Sequence, residues 1–199
     1  MDLSIKTVSG PGIQPYIHHL ARLRIDIFRS FPYLYDGDME YEKKYLDTYL
    51  QSDDTVMVLV LDGDDVVGAS SGLPMDMESA EVKRPFLDRG MPVDEVFYFG
   101  ESLLQPAYRG RGLGHAFFDE REAHARSLGR FRMTAFFAVQ RPENHPLRPS
   151  GYRPLDGFWK KRGYVPQPGM MTTYRWRDIG EKSDTDKPMM FWTREALMD

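Results

Sequence analysis

The sequence contains no cysteine among its 199 residues. That excludes a disulfide framework and any zinc site built on thiolates. It suits a reducing compartment, so a cytoplasmic setting is expected. No apolar run approaches the length that crosses a bilayer, so no membrane association is expected. The opening stretch "MDLSIKTVSGPG" lacks a charged head followed by an apolar core and does not read as a signal peptide. An excess of basic charge is missing too. The net charge is −4 and the lysines and arginines are spread along the chain, so general nucleic-acid binding is not expected. The five histidines form no H-E-x-x-H pair, and no metal site is expected. His18 and His19 are adjacent, so on a helix they project roughly 100° apart.

What is present is an ordinary globular mix, 41% hydrophobic and 28% charged, long enough to bury a core as one domain. "PYIHHLARLRIDIFRS" predicts a helix with Ile17, Leu20, Ile27 and Phe28 near one face. An aromatic loop, "FPYLYDGD", and a second helix over "MEYEKKYLDTYLQS" follow. "TVMVLVLDGDDVVGASSG" predicts a hairpin turning at Asp62-Gly63. Between Pro74 and Pro92 only a short helix is discernible. "VFYFGESLLQ" reads as a strand, "GLGHAFFDEREAHARSL" as a helix stopped by Gly129, and "FRMTAFFAV" as a strand. A proline-rich loop leads to a short helix in "LDGFWKKRGY", then to two strands, "MMTTYRWR" and "PMMFWTRE". This order, ααββ(α)βαβαββ, predicts an α/β fold, a mixed sheet with helices on both faces.

The densest chemical signal is "RGRGLG", residues 109–114, between a strand and a helix. The first N–H groups of a helix lack intrahelical partners, and the helix dipole adds positive character there. Glycine lets an anion approach the backbone. Arg109 and Arg111 add forked donors suited to phosphate oxygens. A dinucleotide fingerprint fails, because its third glycine falls on His115. A mononucleotide P-loop string is absent. The competing expectation is that Gly112 and Gly114 merely allow tight strand–helix packing.

"LLQPAYRGRGLG" resembles motif A of the GCN5-related N-acetyltransferases, [R/Q]-x-x-G-x-[G/A], with Arg109, Gly112 and Gly114 in its fixed places. "FWKKRGYVP" is similar to that family's short C-terminal helix ending in G-[F/Y]. The resemblance implies a mixed, mostly antiparallel sheet of about six to seven strands flanked by helices. It implies acetyl-CoA, or another acyl-CoA, as co-substrate and an amine, small-molecule or protein-borne, as acceptor. It assigns the pyrophosphate to the N–H groups of Gly110, Arg111, Gly112, Leu113 and Gly114. Leu103 and Leu104 would pair with the pantetheine arm, and a backbone N–H at Leu104 would polarise the thioester carbonyl. Lys160 and Lys161 either reach CoA phosphates or form an exposed helix face.

An amine with a pKa of about 10 arrives protonated and must lose a proton before it attacks. Glu101 is the candidate base. Strand alternation puts it on one face with Phe97, Phe99 and Leu103, where a carboxylate is expected to be partly desolvated. The departing thiolate raises a second question. Trp159 stands where many family members have an acidic tyrosine, and an indole is no practical acid. Tyr152 or Tyr164 takes the role, or none is needed, since a thiol pKa near 8.5 lets thiolate leave. Trp159 then packs beside the pantetheine arm or in the core.

For the acceptor, Phe31, Tyr33 and Tyr35 are expected to form an aromatic wall, with Asp36, Asp38 and Glu40 drawing in a cation. An ordinary turn with a hydrophobic plug is the alternative. The long loop 141–154 shapes either the pocket or a homodimer contact. Two rival functions remain. A non-catalytic acyl-CoA sensor would keep "RGRGLG" without transfer. A serine hydrolase could use "GASSG" around Ser70, but Pro74 opposes the helix that its elbow requires.

Overall fold

The computed structural model describes residues 2–195. Seven strands, β1 (Leu3–Val8), β2 (Val56–Asp62), β3 (Asp65–Pro74), β4 (Val96–Leu104), β5 (Met133–Val139), β6 (Val165–Trp176) and β7 (Thr185–Glu195), form one sheet. Five α-helices pack on it: α1 (Ile17–Phe28), α2 (Met39–Leu46), α3 (Ala80–Leu87), α4 (Leu113–Ser127) and α5 (Asp156–Lys161). The sheet order is β1-β2-β3-β4-β5-β7-β6. Every neighbouring pair is antiparallel except β4 and β5. The expected mixed, mostly antiparallel α/β architecture is therefore present.

Alternation along the strands divides the core in two. Met57 and Leu59 of β2 face one way, with Leu20 of α1 and Val82 and Phe86 of α3. Val56, Val58 and Val60 face the other, with Phe117 and Phe118 of α4. Each strand residue thus serves the helix layer on its own side. Helix α1 buries Ile17, Leu20, Ala21 and Arg24, spaced three and four apart. Asp38 caps α2 by accepting from the Tyr41 N–H at 2.9 Å.

Three readings of the sequence change. Strand β1 carries no signal in the sequence: most of its residues are exposed at the sheet edge, so "LSIKTV" has no buried face to announce it. The "GASSG" segment is no nucleophile elbow, because Ser70 is fully buried inside β3, which runs on to Pro74. The third change concerns β4. Ser70 pairs with Ser102, but Gly72 pairs with Phe99, so Gly100 and Glu101 together oppose Ser71. This bulge inserts one residue and resets the alternation. Phe97 and Phe99 still face α4. Glu101 turns to the α1 and α2 side instead, where Tyr98 and Leu103 also pack. Gly100 is what lets the bulge close: a Cβ there would collide with the Tyr49 hydroxyl and lie 2.6 Å from Ser71 Oγ.

Candidate active site

The parallel pairing of β4 with β5 covers only Val96↔Met133, Phe97↔Thr134 and Tyr98↔Ala135. Beyond Tyr98, β4 stays paired with β3 while β5 stays paired with β7, so a gap opens between them. The Gln105 N–H donates to the Val67 carbonyl on the β3 side at 3.0 Å. Residues two apart on a strand direct their amides the same way, so the neighbouring Leu104 N–H faces the gap. The Leu104 carbonyl, on that same edge, accepts from Arg109 Nε at 3.2 Å.

The glycine turn stands at the mouth of this gap. Gly110 and Gly112 have φ of 77° and 81°, left-handed values that disfavour other residues. A Cβ at either would meet no heavy atom within 4 Å, and one at Gly114 would touch only Phe158, at 3.5 Å. Tight packing therefore does not explain these glycines. Gly112 is the N-cap of α4 and has no side chain to bond its first turn. The His115 N–H already bonds the Gly112 carbonyl at 2.9 Å, so the N–H groups ahead of it, at Leu113 and Gly114, are the ones placed to face an anion. Arg109 and Arg111 are exposed on the same turn, and Arg111 stacks on Tyr108 at 5.6 Å. Leu113, half-buried, opens the helix and packs toward the α4-side core. The residues present fit a pyrophosphate-bearing ligand whose arm runs along the unpaired edge of β4.

On the other side of the sheet lies a cleft lined by α1, α2, β4 and β6. Its residues include Arg24, Tyr33, Tyr35, Glu42, Tyr45, Glu78, Tyr98, Glu101, Tyr174 and Trp176. Arg24 is its organising charge. The Arg24 Nη1 stands 2.6 Å from Glu101 Oε2, and its Nε donates to Glu42 Oε2. Its guanidinium also lies 4.1 Å from the Tyr45 ring centroid. Burial works against the charge on Arg24, but Glu101, Tyr45 and Glu42 outweigh it and hold the guanidinium firmly protonated. Burial pushes the Tyr33 hydroxyl up to about 12. It raises those of Tyr35, Tyr45 and Tyr98 as well, so these phenols stay neutral. Glu78 differs: burial pushes its carboxyl up to about 7.

The family model described as "Acetyltransferase (GNAT) family" matches residues 20–150, more than half of the sequence. The chain belongs to that family. Solved structures with the same fold include a ribosomal-protein-alanine N-acetyltransferase from Brucella melitensis, 13% identical, with 97% of this chain and 99% of that one covered at a TM-score of 0.63. An N-acetyltransferase from Staphylococcus aureus Mu50 is 11% identical, with both chains covered in full at 0.62. The protein yncA from Salmonella typhimurium, solved with its cofactor acetyl-CoA, is 11% identical, with 100% and 96% covered at 0.61. No curated protein sequence matches significantly. Among the described residues no helix is long and apolar enough to cross a membrane.

Against the GNAT reading, the individual site residues divide. Leu104, Arg109, Gly110, Arg111, Gly112, Leu113 and Gly114 gather along the gap and its turn, whereas Leu103, expected beside the pantetheine arm, is fully buried on the α1 side and pairs with Ala69 of β3. Trp159 packs edge-on to Phe136 at 5.0 Å and Trp192 at 5.1 Å, at the β5 wall of the core. Lys160 is exposed on α5. Tyr164 drops out as an acid. It is 1% exposed, its hydroxyl bonds Thr134 Oγ1 at 2.8 Å and Glu122 at 3.3 Å, and burial raises it further. Tyr152 stands in the long loop with its ring against Phe31 at 4.7 Å, and burial raises its hydroxyl too.

Of the residues expected at the acceptor, Tyr33 and Tyr35 line this cleft, and Phe31 and Asp36 do not. Phe31 turns outward against His145 and Tyr152. Asp36 is tied to Arg177 at 2.9 Å in a surface ion pair. The carboxylates of Asp38 and Glu40 are likewise outside the lining, one capping α2 and the other pairing with Lys43. Arg141, opening the long loop, bonds the carbonyls of Pro32 and Tyr33 and forks onto Asp178, so the loop braces the aromatic wall.

Arg24, Glu42 and Glu78 escaped the sequence reading. Two of them had a signal. Arg24 sits four residues after Leu20 and Glu42 four before Leu46, so each interrupts an apolar stripe with a charge. Glu78 had none, lying in the stretch without a clear period.

Proposed function

We propose that the protein transfers an acetyl group from acetyl-CoA to a primary amine by direct attack. The observation that carries this reading is the divergence of β4 from β5 after Tyr98 and Ala135, which frees the Leu104 edge beside the RGRGLG turn. Gly110 to Gly114 would hold the pyrophosphate on backbone N–H groups, with Arg109 and Arg111 adding charge. When bound, acetyl-CoA supplies the activated acyl carbon. The Leu104 N–H would then polarise its carbonyl oxygen.

The amine enters from the cleft on the α1 and α2 side. Glu101 faces that cleft from the bulge, beside the strand edge that receives the thioester. Its carboxylate and that of Glu42 share the single guanidinium of Arg24, which leaves the pair with net negative charge to receive an ammonium. Trp159 would wall the thioester end, and the thiolate leaves without a tyrosine acid, since thiol pKa is about 8.5. A sensor without catalysis is the weaker reading, because it gives the carboxylate-lined cleft no role.

The test has two parts. Calorimetry with acetyl-CoA measures donor binding. Thiol release on adding a panel of primary amines (tyramine, agmatine, lysine and spermidine) measures transfer. Binding with amine-dependent release is the expected result; absence of acetyl-CoA binding sinks the proposal.

A further inference from the structure

Glu101 occupies the place where a base is expected, yet the geometry gives it other work. Its Oε2 is 2.6 Å from Arg24 and within reach of the Tyr45 hydroxyl, at 3.5 Å. The carboxylate oxygen that a base would use is already engaged by Arg24 in a charge-assisted contact. Glu101 therefore serves to hold Arg24 in the cleft.

Glu78 lies in the same cleft on the turn between β3 and α3, with different surroundings. Its carboxylate accepts from the Ser79 N–H at 3.2 Å, and among the described residues no cation lies within ion-pair distance. Lys83 on α3 is the nearby cation, and its Nζ is turned to the Asp76 carbonyl at 3.1 Å. Facing Glu78 from the other elements are Glu101 on β4, Tyr98 on β4, Tyr49 before β2 and Tyr174 on β6. Burial keeps those three phenols neutral. Glu78 is thus a half-buried carboxylate without a counter-ion, opening onto the cleft that the acceptor would fill.

We propose that Glu78, and not Glu101, is the group that accepts the proton of the acceptor ammonium, directly or through one water. This rests on the acetyl-transfer reading above and supplies its missing base. The ammonium N–H bond breaks and its proton passes to the Glu78 carboxylate. The freed amine nitrogen forms the C–N bond to the acyl carbon, while the C–S bond breaks and its electrons leave on sulfur. The second nitrogen proton goes to the thiolate, and Glu78 returns its own proton to solvent. Burial and the nearby Glu101 charge raise the Glu78 carboxyl to about 7, opposed by the Ser79 N–H, so it is poised for exchange at neutral pH. Arg24 and the tyrosines do not change charge there.

The experiment compares wild type, Glu78→Gln and Glu101→Gln. Carbon-13 NMR of the glutamate carboxyls follows Glu78 without any donor present, identified by its disappearance in Glu78→Gln. A midpoint near 7 is expected; a midpoint near the ordinary value of about 4.3 overturns the proposal. With an amine that turns over, wild-type kcat/KM should rise with pH through that midpoint to a plateau. Glu78→Gln should lose this limb and fall about 100-fold or more. Glu101→Gln should keep the limb and raise KM for the amine. An unchanged limb in Glu78→Gln overturns the assignment. Acetyl-CoA affinity, read by calorimetry, should be the same in all three proteins. Its absence in wild type would sink the donor reading instead, and the NMR titration, which needs no donor, would still decide Glu78.

Discussion

Arg121 on α4 donates from one nitrogen, Nη1, to the carbonyl oxygens of both Glu101, at 3.0 Å, and Ser71, at 3.1 Å. Its other terminal nitrogen bonds Ser102 Oγ at 3.0 Å, and the guanidinium lies 4.1 Å from the Phe99 ring centroid. One buried side chain thereby ties together both strands at the bulge. Burial pushes Arg121 down to about 10, so it still carries its charge at neutral pH. Helix α4, whose N-terminus follows the RGRGLG turn, thus also holds the strand distortion that turns Glu101 into the cleft.

Arg121→Met keeps much of the apolar stem and loses these bonds. Hydrogen bonds to charged groups are worth roughly 1.5–3 kcal/mol, so a loss of about 3 kcal/mol is expected. Urea unfolding should show a lower midpoint at unchanged slope. KM for the amine should rise, because the bulge that aims Glu101 is released. Arg121→Lys, with charge but no fork, should fall between the two.

The bulge also explains what the sequence left hidden. Element order and the donor turn were legible because they depend on local signals, namely apolar period, turn residues and the spacing of Arg109, Gly112 and Gly114. The face of Glu101 was not, since regular alternation in "YFGESLL" holds only until a partner strand imposes an extra residue. Glu78 and Arg24 reach one cleft from elements far apart in the sequence, and no local pattern reports that convergence. Strand β1 is stabilised by pairing with β2 and not by a buried face of its own.

Gly112 separates backbone conformation from ligand approach. With φ of 81°, Gly112→Ala should cost about 1–2 kcal/mol of stability. Gly112→Asn should recover part of that, since asparagine visits the left-handed region more readily. Both place a Cβ where nothing in the protein is within 4 Å. Any loss of acetyl-CoA affinity common to both variants therefore reports obstruction of the ligand. Calorimetry should show at least a tenfold weakening in each.

Trp159→Phe tests whether the leaving thiolate needs an acid. The indole packs on Phe136 and Trp192, and a phenyl ring preserves much of that contact. If no proton donor is required, kcat should stay within about threefold, in line with a thiol pKa near 8.5. A fall of a hundredfold with unchanged donor binding would show that the indole N–H takes part.

Glu78 also leaves a mark on stability. Its folded carboxyl is raised from an ordinary 4.5 to about 7. Below about pH 4.5 folded and unfolded chains both hold the proton, and the group's contribution is fully present. As pH rises toward 7 the unfolded chain gives up the proton while the folded chain keeps it, so stability falls. Above 7 the loss is complete. That interval corresponds to about 3 kcal/mol at most. Glu78→Gln has no such proton to lose. Its stability relative to wild type should therefore increase between pH 5 and pH 8, other titrations being common to both proteins. Thermal melts at the two pH values check it, and a difference independent of pH would contradict the raised carboxyl. The expected variant is more stable at pH 8 and nearly inactive, the trade that a desolvated catalytic group imposes on its fold.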